Sequence, residues 1–557
     1  MTREERITLE GAAKAAMART RSRLNIAIIG FGIVFAVLFG RLVEVTTLRE
    51  GQERKIARVE DNVSYFRADL VDRNGEILAT DLQAASLYAD ARVIWDPAEA
   101  TQSLAGVLPA IDARALAKRL ATRQAFVWIK RNVTPRQQAA VRQLGIPGLH
   151  FRTEPRRVYP NGRTAAHALG YVNVDNHGLA GVERGAEELI LERRNRGGVV
   201  ELALDLRVQH ALQDELAASV AMFKARTASG IVMDVNNGEV LALASLPDFD
   251  PNEPGEAKKA ALFNGATLGV YEMGSTFKTF TTAMALDTQK VTLTSQFDAT
   301  NPIAFGRFTI TDFHPENRLL TVPEIFVHSS NIGTAKMALE VGTTTQRAYL
   351  GKLGLLTPVA SEIKEAGAPI VPKRWGELET MTVAYGHGIA ISPLHVAMAS
   401  AALVNGGKLI KPTLLKREAG TVVPFTRVVS EQTSVQMRDL LRMAVTQGTG
   451  SKADVPGYPV AGKTGTAEKP VQGGYAQKNV SSFMGVFPAR NPLYLVLIVL
   501  DEPQGTEATA GYATAGWTAA PTAGKVIARI APMLNVPVSP AESQGPSTTM
   551  ASYEDLH

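Results

Sequence analysis

The stretch Tyr271-Glu272-Met273-Gly274-Ser275-Thr276-Phe277-Lys278-Thr279 sets a serine and a lysine three residues apart, directly after a glycine and ahead of the helical run Phe280 to Leu286. Positions i and i+3 share one face of a helix. A serine hydroxyl is a weak nucleophile until a base takes its proton, and a lysine serves as that base once burial and nearby positive charge lower its pKa. Ser275 and Lys278 are therefore a candidate nucleophile and base. The pattern alone is weak, because it recurs in Ser361-Glu362-Ile363-Lys364. Companion motifs separate the two occurrences. Downstream of Ser275 come Ser329-Ser330-Asn331 and Lys463-Thr464-Gly465, each the sole match to its pattern in the chain. Ser361 follows no glycine and has no second set behind it.

Each segment has a chemical part to play. Ser329 can relay a proton between Lys278 and a leaving amine, and Asn331 can hydrogen-bond a substrate amide. Lys463 can set the field of the site and attract a carboxylate, with Thr464 and Thr466 as hydroxyl donors to it. Gly465, on the strand-like Tyr458 to Glu468, lacks a side chain, so a substrate backbone can come close and add as an extra strand. The oxyanion would then sit between the backbone N–H groups of Ser275 and Thr466, donors worth roughly 3 kcal/mol each in comparable sites. Taken singly, Ser329 and Asn331 also read as a helix cap before Ile332 to Glu340, and Lys463 to Gly465 as a strand end. In this order the three segments are the signature of penicillin-binding proteins and class A β-lactamases.

Around them the pattern is α+β. A hairpin runs from Ser229 to Val235 through Asn236-Asn237-Gly238 to Glu239 to Ser245, and a second β pair, Ser481 to Phe487 and Leu493 to Leu500, lies near the far end. Strands at both ends with helical segments between them predict one antiparallel sheet covered by helices, a second domain over 225–535. Upstream, short strands around Asn74-Gly75 and a helix over Asp112 to Thr122 suggest an extended stalk and pedestal over 44–224, with Thr46 to Asp61 as a polar helical stalk. The run Leu24 to Gly40 is uncharged and extends to Val43 if Arg41 snorkels, long enough for one transmembrane helix over 24–43. Arg19, Arg21 and Arg23 place the preceding tail, 1–23, inside. The Pro- and Ser-rich tail over 536–557 reads as disordered.

Composition narrows the function classes. With 557 residues the chain holds several domains, and 45% hydrophobic with 20% charged residues is a folded composition. The 59 basic residues barely outnumber the 54 acidic ones and form no basic face, which argues against nucleic acid. The absence of cysteine excludes disulfides, thiolate metal sites and a cysteine nucleophile. Asp312-Phe313-His314 and Tyr385-Gly386-His387-Gly388 have no histidine pair at ligand spacing, so neither metal nor cofactor is implied. His328, beside Ser329, either tunes the site or is a packed or surface residue.

From about Arg21 to Ile530 the chain resembles the class B penicillin-binding proteins. Arg67-Ala68-Asp69-Leu70-Val71-Asp72-Arg73-Asn74-Gly75, Arg157-Val158-Tyr159-Pro160-Asn161-Gly162 through Gly170, and Gly178-Leu179-Ala180-Gly181-Val182-Glu183 are similar to that family's three pedestal motifs. Met273 stands where many relatives have proline, and Ala68 where the first motif usually has glycine. The resemblance implies a penicilloyl-serine transferase fold and a D,D-transpeptidase of the bacterial inner membrane, its catalytic domain in the periplasm. It would act on peptidoglycan stem peptides as D-Ala-D-Ala donor and amine acceptor, with β-lactams as covalent inhibitors. Val174-Asp175-Asn176-His177-Gly178-Leu179-Ala180-Gly181 and His328-Ser329-Ser330-Asn331-Ile332-Gly333 look more like the division-specific (FtsI-type) branch than the elongation branch. That branch implies division proteins as partners, among them a SEDS-family glycosyltransferase (FtsW-type) met by the 24–43 helix. A D,D-carboxypeptidase, a β-lactamase, a β-lactam sensor and an idle scaffold on the same fold are the alternatives.

Overall fold

The computed structural model describes residues 25, 28–41, 66–109, 111–306, 308–471 and 474–539. The chain forms two compact units, Met1–Ser64 and Tyr65–His557. In the first, residues 28–41 are helical and expose apolar side chains such as Phe31, Phe35 and Phe39. Among the described residues no helix is long and apolar enough to cross a membrane. The span expected over 24–43 lies partly outside the described residues, and the tail over 1–23, the stalk over 46–61 and the tail beyond 539 lie wholly outside them.

The second unit opens with β1 (Leu70–Val71) and β2 (Ile77–Ala89), joined by a turn in which the Asp72 carboxylate accepts the N–H groups of Asn74 at 2.7 Å and Glu76 at 3.0 Å. Gly75 takes φ +92° there, as the Asn-Gly signal requires. Strand β2 pairs antiparallel with β3 (Val127–Val133) and β4 (Leu149–Val158). Alternate residues of these strands bury Leu87, Val127 and Ile129 with Leu104, Leu116 and Leu120, from helices α1 (Pro97–Val107) and α2 (Ala113–Ala121), in a core of their own. Asp112 caps α2 by accepting the Ala115 N–H at 2.9 Å. Strand β5 (Val200–Glu201) adds to β1 in parallel.

The three stretches that resemble pedestal motifs meet in a buried ion cluster. The Glu183 carboxylate lies 2.8 Å from Arg67 Nε and 2.7 Å from Arg157 Nε, all three side chains being sealed from solvent. Arg157 also reaches Asp81 at 3.1 Å, and Arg67 reaches Glu187 at 2.9 Å. Charges this deep persist only when paired. The same segment ties onward: the Gly181 N–H donates to Glu365 at 3.0 Å, and the neighbouring Glu362 carboxylate accepts from Thr413 Oγ1 and the Leu414 N–H.

The second half is built on a five-stranded sheet, antiparallel throughout, in the spatial order β8 (Ala461–Val471), β9 (Gly474–Phe487), β10 (Tyr494–Asp501), β6 (Thr227–Asp234), β7 (Val240–Leu246). Strand β10 alternates between two cores: Leu495, Leu497 and Val499 face one, Val496, Ile498 and Leu500 the other. A strand buried on both faces reads as an unbroken apolar run, as Leu495 to Leu500 does. One face is covered by α3 (Leu206–Phe223), just before the boundary expected at 224, and by α8 (Ala519–Met533). On the other lie α4 (Lys278–Asp287), α5 (Asn331–Val341), α6 (Pro393–Val404) and α7 (Glu431–Thr446). Val536 packs into the core beneath α3 and α8, and the Ser539 N–H donates to the Gly457 carbonyl at 2.8 Å, so the chain stays seated past 535.

Candidate active site

Ser275 sits in a single 3-10 turn, Gly274–Phe277, that runs directly into α4 at Lys278. Close approach of three chain segments fixes that turn. Gly274 has φ +51°, and a Cβ on it would lie 2.5 Å from the Thr466 carbonyl oxygen. Gly386 lies against the Gly274 backbone from elsewhere in the chain, with no space for a side chain between them. Gly388 donates its N–H to Glu272 at 2.9 Å. The glycines of Tyr385-Gly386-His387-Gly388 thus brace the turn.

Lys278 is fully buried, and its Nζ donates to the Ser329 carbonyl and, at 3.1 Å, to Ser329 Oγ. Lys463, on edge strand β8, is equally buried and donates to the same hydroxyl at 3.1 Å. One serine oxygen therefore joins two lysines from distant segments. Ser275 Oγ has no hydrogen bond to another described residue, so the lysine's observed contacts are to Ser329. Burial pushes the Lys463 pKa down to about 7. Burial also holds Lys278 well below the ordinary lysine value, the neighbouring Lys463 charge lowers it further, and Asp312 opposes the shift. His387 is pushed down to about 4, chiefly by burial.

Ser329 adopts φ +59°, a left-handed conformation uncommon for a residue with a side chain and costing on the order of 1–3 kcal/mol. Its neighbours impose it. The cap of α5 is Ser330, not Ser329 or Asn331: Ser330 Oγ accepts the Gly333 N–H at 2.9 Å, which leaves Ser329 outside the helix and pointing at the lysines. Asp312 completes the clamp, accepting from Ser330 Oγ at 2.7 Å, the Asn331 N–H at 2.5 Å and the Ile332 N–H at 3.0 Å. Asn331 Nδ2 donates to the Thr311 carbonyl at 2.8 Å, so its Oδ1 is the atom left for a substrate N–H.

Along β8 the missing side chain of Gly465 serves the protein itself. A Cβ there would strike the Met273 carbonyl, Thr276 Oγ1 and, at 2.6 Å, Ser482 Oγ, so the room is taken by the Ser275 turn rather than by a ligand backbone. Thr276 Oγ1 and Ser482 Oγ are 3.0 Å apart and lock the turn to β9. Thr464 Oγ1 bonds Thr449 Oγ1 at 2.5 Å, and Thr466 Oγ1 accepts the Ala515 N–H at 3.0 Å, which leaves the Thr466 hydroxyl proton free to donate. Ser361 Oγ turns into its own loop, against Ile363. His328 is partly exposed and lies 3.3 Å from Glu316. Sequence reasoning missed Asp312 and Thr449, whose parts depend on contacts across the fold.

The model of the penicillin-binding protein transpeptidase domain matches residues 228–527, and that of the penicillin-binding protein dimerisation domain matches residues 64–190. The chain belongs to the class B penicillin-binding proteins, of the FtsI type. Over 93% of its length this penicillin-binding protein is 42% identical to the probable peptidoglycan D,D-transpeptidase FtsI of Caulobacter vibrioides, spanning 89% of that protein. It is 30% identical to the peptidoglycan D,D-transpeptidase FtsI of Escherichia coli K12, over 90% of each chain. Penicillin binding protein 3 of Mycobacterium tuberculosis, crystallised with aztreonam, shares the fold: TM-score 0.67, 24% identity, 86% of this chain and 98% of that one.

Proposed function

We propose that this protein is a peptidoglycan D,D-transpeptidase that crosslinks stem peptides through an acyl-Ser275 intermediate. The observation that carries the reading is the meeting of Lys278 and Lys463 on Ser329 Oγ, next to the Ser275 turn. Two ammonium groups on one buried hydroxyl repel, and burial together with the Lys463 charge favours the neutral form of Lys278. A neutral amine has two N–H bonds and one lone pair. Both hydrogens are committed to Ser329, so the lone pair is what remains to take the Ser275 proton.

Ser275 Oγ attacks the penultimate D-Ala carbonyl carbon as its proton passes to Lys278 Nζ. The oxyanion is held by the backbone N–H groups of Ser275 and Thr466. The bond to the terminal D-Ala nitrogen then breaks, and that nitrogen takes a proton from Ser329 Oγ, which is replenished from Lys278. Ser329 Oγ accepts from both lysines and keeps its own hydrogen for this transfer. An acceptor-stem amine attacks the ester, surrenders a proton along the same route, and leaves a new peptide bond and free Ser275. Lys463, Thr464 and Thr466 bind the donor carboxylate, Asn331 binds a donor amide, and the donor backbone adds along the open edge of β8 beside Gly465. β-Lactams acylate the same serine.

The setting is septal synthesis, with the 24–43 segment as an inner-membrane anchor, the pedestal over 44–224 and the transpeptidase domain over 225–535 in the periplasm. The helix over 28–41 leaves open space at Gly30 and Gly32, room for a polytopic SEDS-family glycosyltransferase to pack closely. Gly30→Leu or Gly32→Leu weakens copurification with that partner, and undiminished recovery would remove the contact. The enzymatic reading is tested by fluorescent-penicillin labelling of wild type, Ser275→Ala and Ser361→Ala. Label is lost only from Ser275→Ala; label surviving there would defeat the assignment. Product analysis with stem peptides then separates crosslinked dimer from trimmed stems, the carboxypeptidase outcome.

A further inference from the structure

A cavity of about 190 Å³ opens where α3, α8 and the loop after β10 meet. Its apolar wall is made by Met222, Phe223 and Trp517, and Lys452 and Lys525 stand at its mouth. Lys452 Nζ lies 3.8 Å from the centre of the Trp517 ring, on which Tyr512 also stacks at 5.6 Å. Both lysines are exposed, and neither is paired with a carboxylate among the described residues. The inner wall is polar but saturated. Thr522 Oγ1 donates to the Thr518 carbonyl at 2.8 Å, so the hydrogen between Ser219 and Thr522, 2.8 Å apart, comes from Ser219.

These features select a ligand chemistry. An apolar wall of Met222, Phe223 and the Trp517 indole invites a flat hydrocarbon group, and two cations without a carboxylate partner among the described residues at the rim, one of them resting on the indole, invite a negative charge on its outer end. A bare inorganic anion would leave the wall unfilled, and the saturated inner wall offers no free hydroxyl hydrogen to a buried polar head. A cavity of about 150 Å³ suffices for benzene, so a ring with a short carboxylate arm fits. We propose that this cavity is a binding site for a small aryl carboxylate, separate from the Ser275 cleft.

Its position gives occupancy a consequence. Trp517 follows Ala515, whose N–H holds Thr466 Oγ1 at 3.0 Å, and Gly516, where a Cβ would lie 2.7 Å from the Thr449 carbonyl. A ligand against Trp517 therefore leans on the loop that positions Thr466 and Thr449.

The experiment is a calorimetric and tryptophan-emission titration of the purified full chain, carrying Ser275→Ala, with phenylacetate. Using the acylation-dead variant keeps the result independent of the chemistry at Ser275. Saturable binding is expected, with the emission change lost in Trp517→Phe. In Lys452→Ala and Lys525→Ala, both at exposed positions that preserve the fold, half-saturation moves upward by about two- to fivefold for each lysine. Absence of saturable heat, or the same half-saturation in the double lysine variant as in its parent, overturns the proposal.

Discussion

Replacing Gly465 by alanine tests what holds the nucleophile in place. The added Cβ would stand 2.6 Å from Ser482 Oγ and closer still to the Met273 carbonyl and Thr276 Oγ1, whereas ordinary contact begins at 3.4 Å. Relief requires movement of about 1 Å, and two of the three obstructing atoms belong to the segment that carries Ser275. Misplacing a reacting group by that distance costs on the order of 10²-fold in rate, and overpacking a tight site costs roughly 1–3 kcal/mol of stability. The assay is fluorescent-penicillin acylation of Gly465→Ala over a range of penicillin concentrations, which separates the maximal rate from the half-saturating concentration, together with urea unfolding. The maximal rate falls about 100-fold with half-saturation little changed. A variant that keeps the wild-type maximal rate and only demands more penicillin would refute the reasoning, because the glycine would then be making room for ligand rather than for the turn.

The charges give three further expected outcomes. Asp312→Asn removes the carboxylate that opposes the lowering of the Lys278 pKa, so the acidic limb of the acylation pH profile moves to lower pH; a limb that stays in place separates Asp312 from that lysine. Burial lowers the Lys463 pKa from 10.5 to about 7, so between those values the unfolded chain binds more protons than the folded one and stability rises with pH. Lys463→Met flattens that rise, as urea unfolding at two pH values within the window will read; an unaltered slope contradicts the burial argument. Glu183→Gln leaves Arg67 and Arg157 buried with one counter-charge fewer and costs about 3–5 kcal/mol in urea unfolding; an unchanged midpoint would show that the cluster adds nothing to stability.

The parts of the site that a local pattern encodes were legible in the sequence. A three-residue spacing puts Ser275 and Lys278 at the start of one helix, and the apolar runs at Thr227 to Leu246 and Tyr494 to Asp501 mark strands buried on two faces. The sheet and the hairpin turn at Asn236 to Gly238 follow from such patterns, as does the helix over Ala113 to Ala121 with Asp112 at its head. Contacts that join distant segments were not legible. Asp312 lies in an irregular stretch and has a role only because the fold brings the start of α5 to its carboxylate. Thr449 meets Thr464 across a loop, and His387 comes within electrostatic reach of Lys278 from a distant segment. The cap at the head of α5 shows the limit within a motif: Ser329, Ser330 and Asn331 are all good capping residues, and tertiary contacts decide that Ser330 caps while Ser329 faces the lysines.

The pairing of β6 with β10 sets Thr227 opposite Asp501, so the middle of the sheet is sewn together from the two ends of its own stretch of chain. Closing so long a loop is entropically expensive and kinetically slow. Until residue 501 has emerged from the machinery that delivers the chain, the hairpin of β6 and β7 presents an apolar edge with nothing to pair against, an invitation to aggregation and proteolysis. A chain cut short anywhere before β10 is thus poorly suited to survive as a partial domain. The topology makes the appearance of this enzyme nearly all-or-none, because the sheet that carries Lys463 cannot close until both ends of the domain are present.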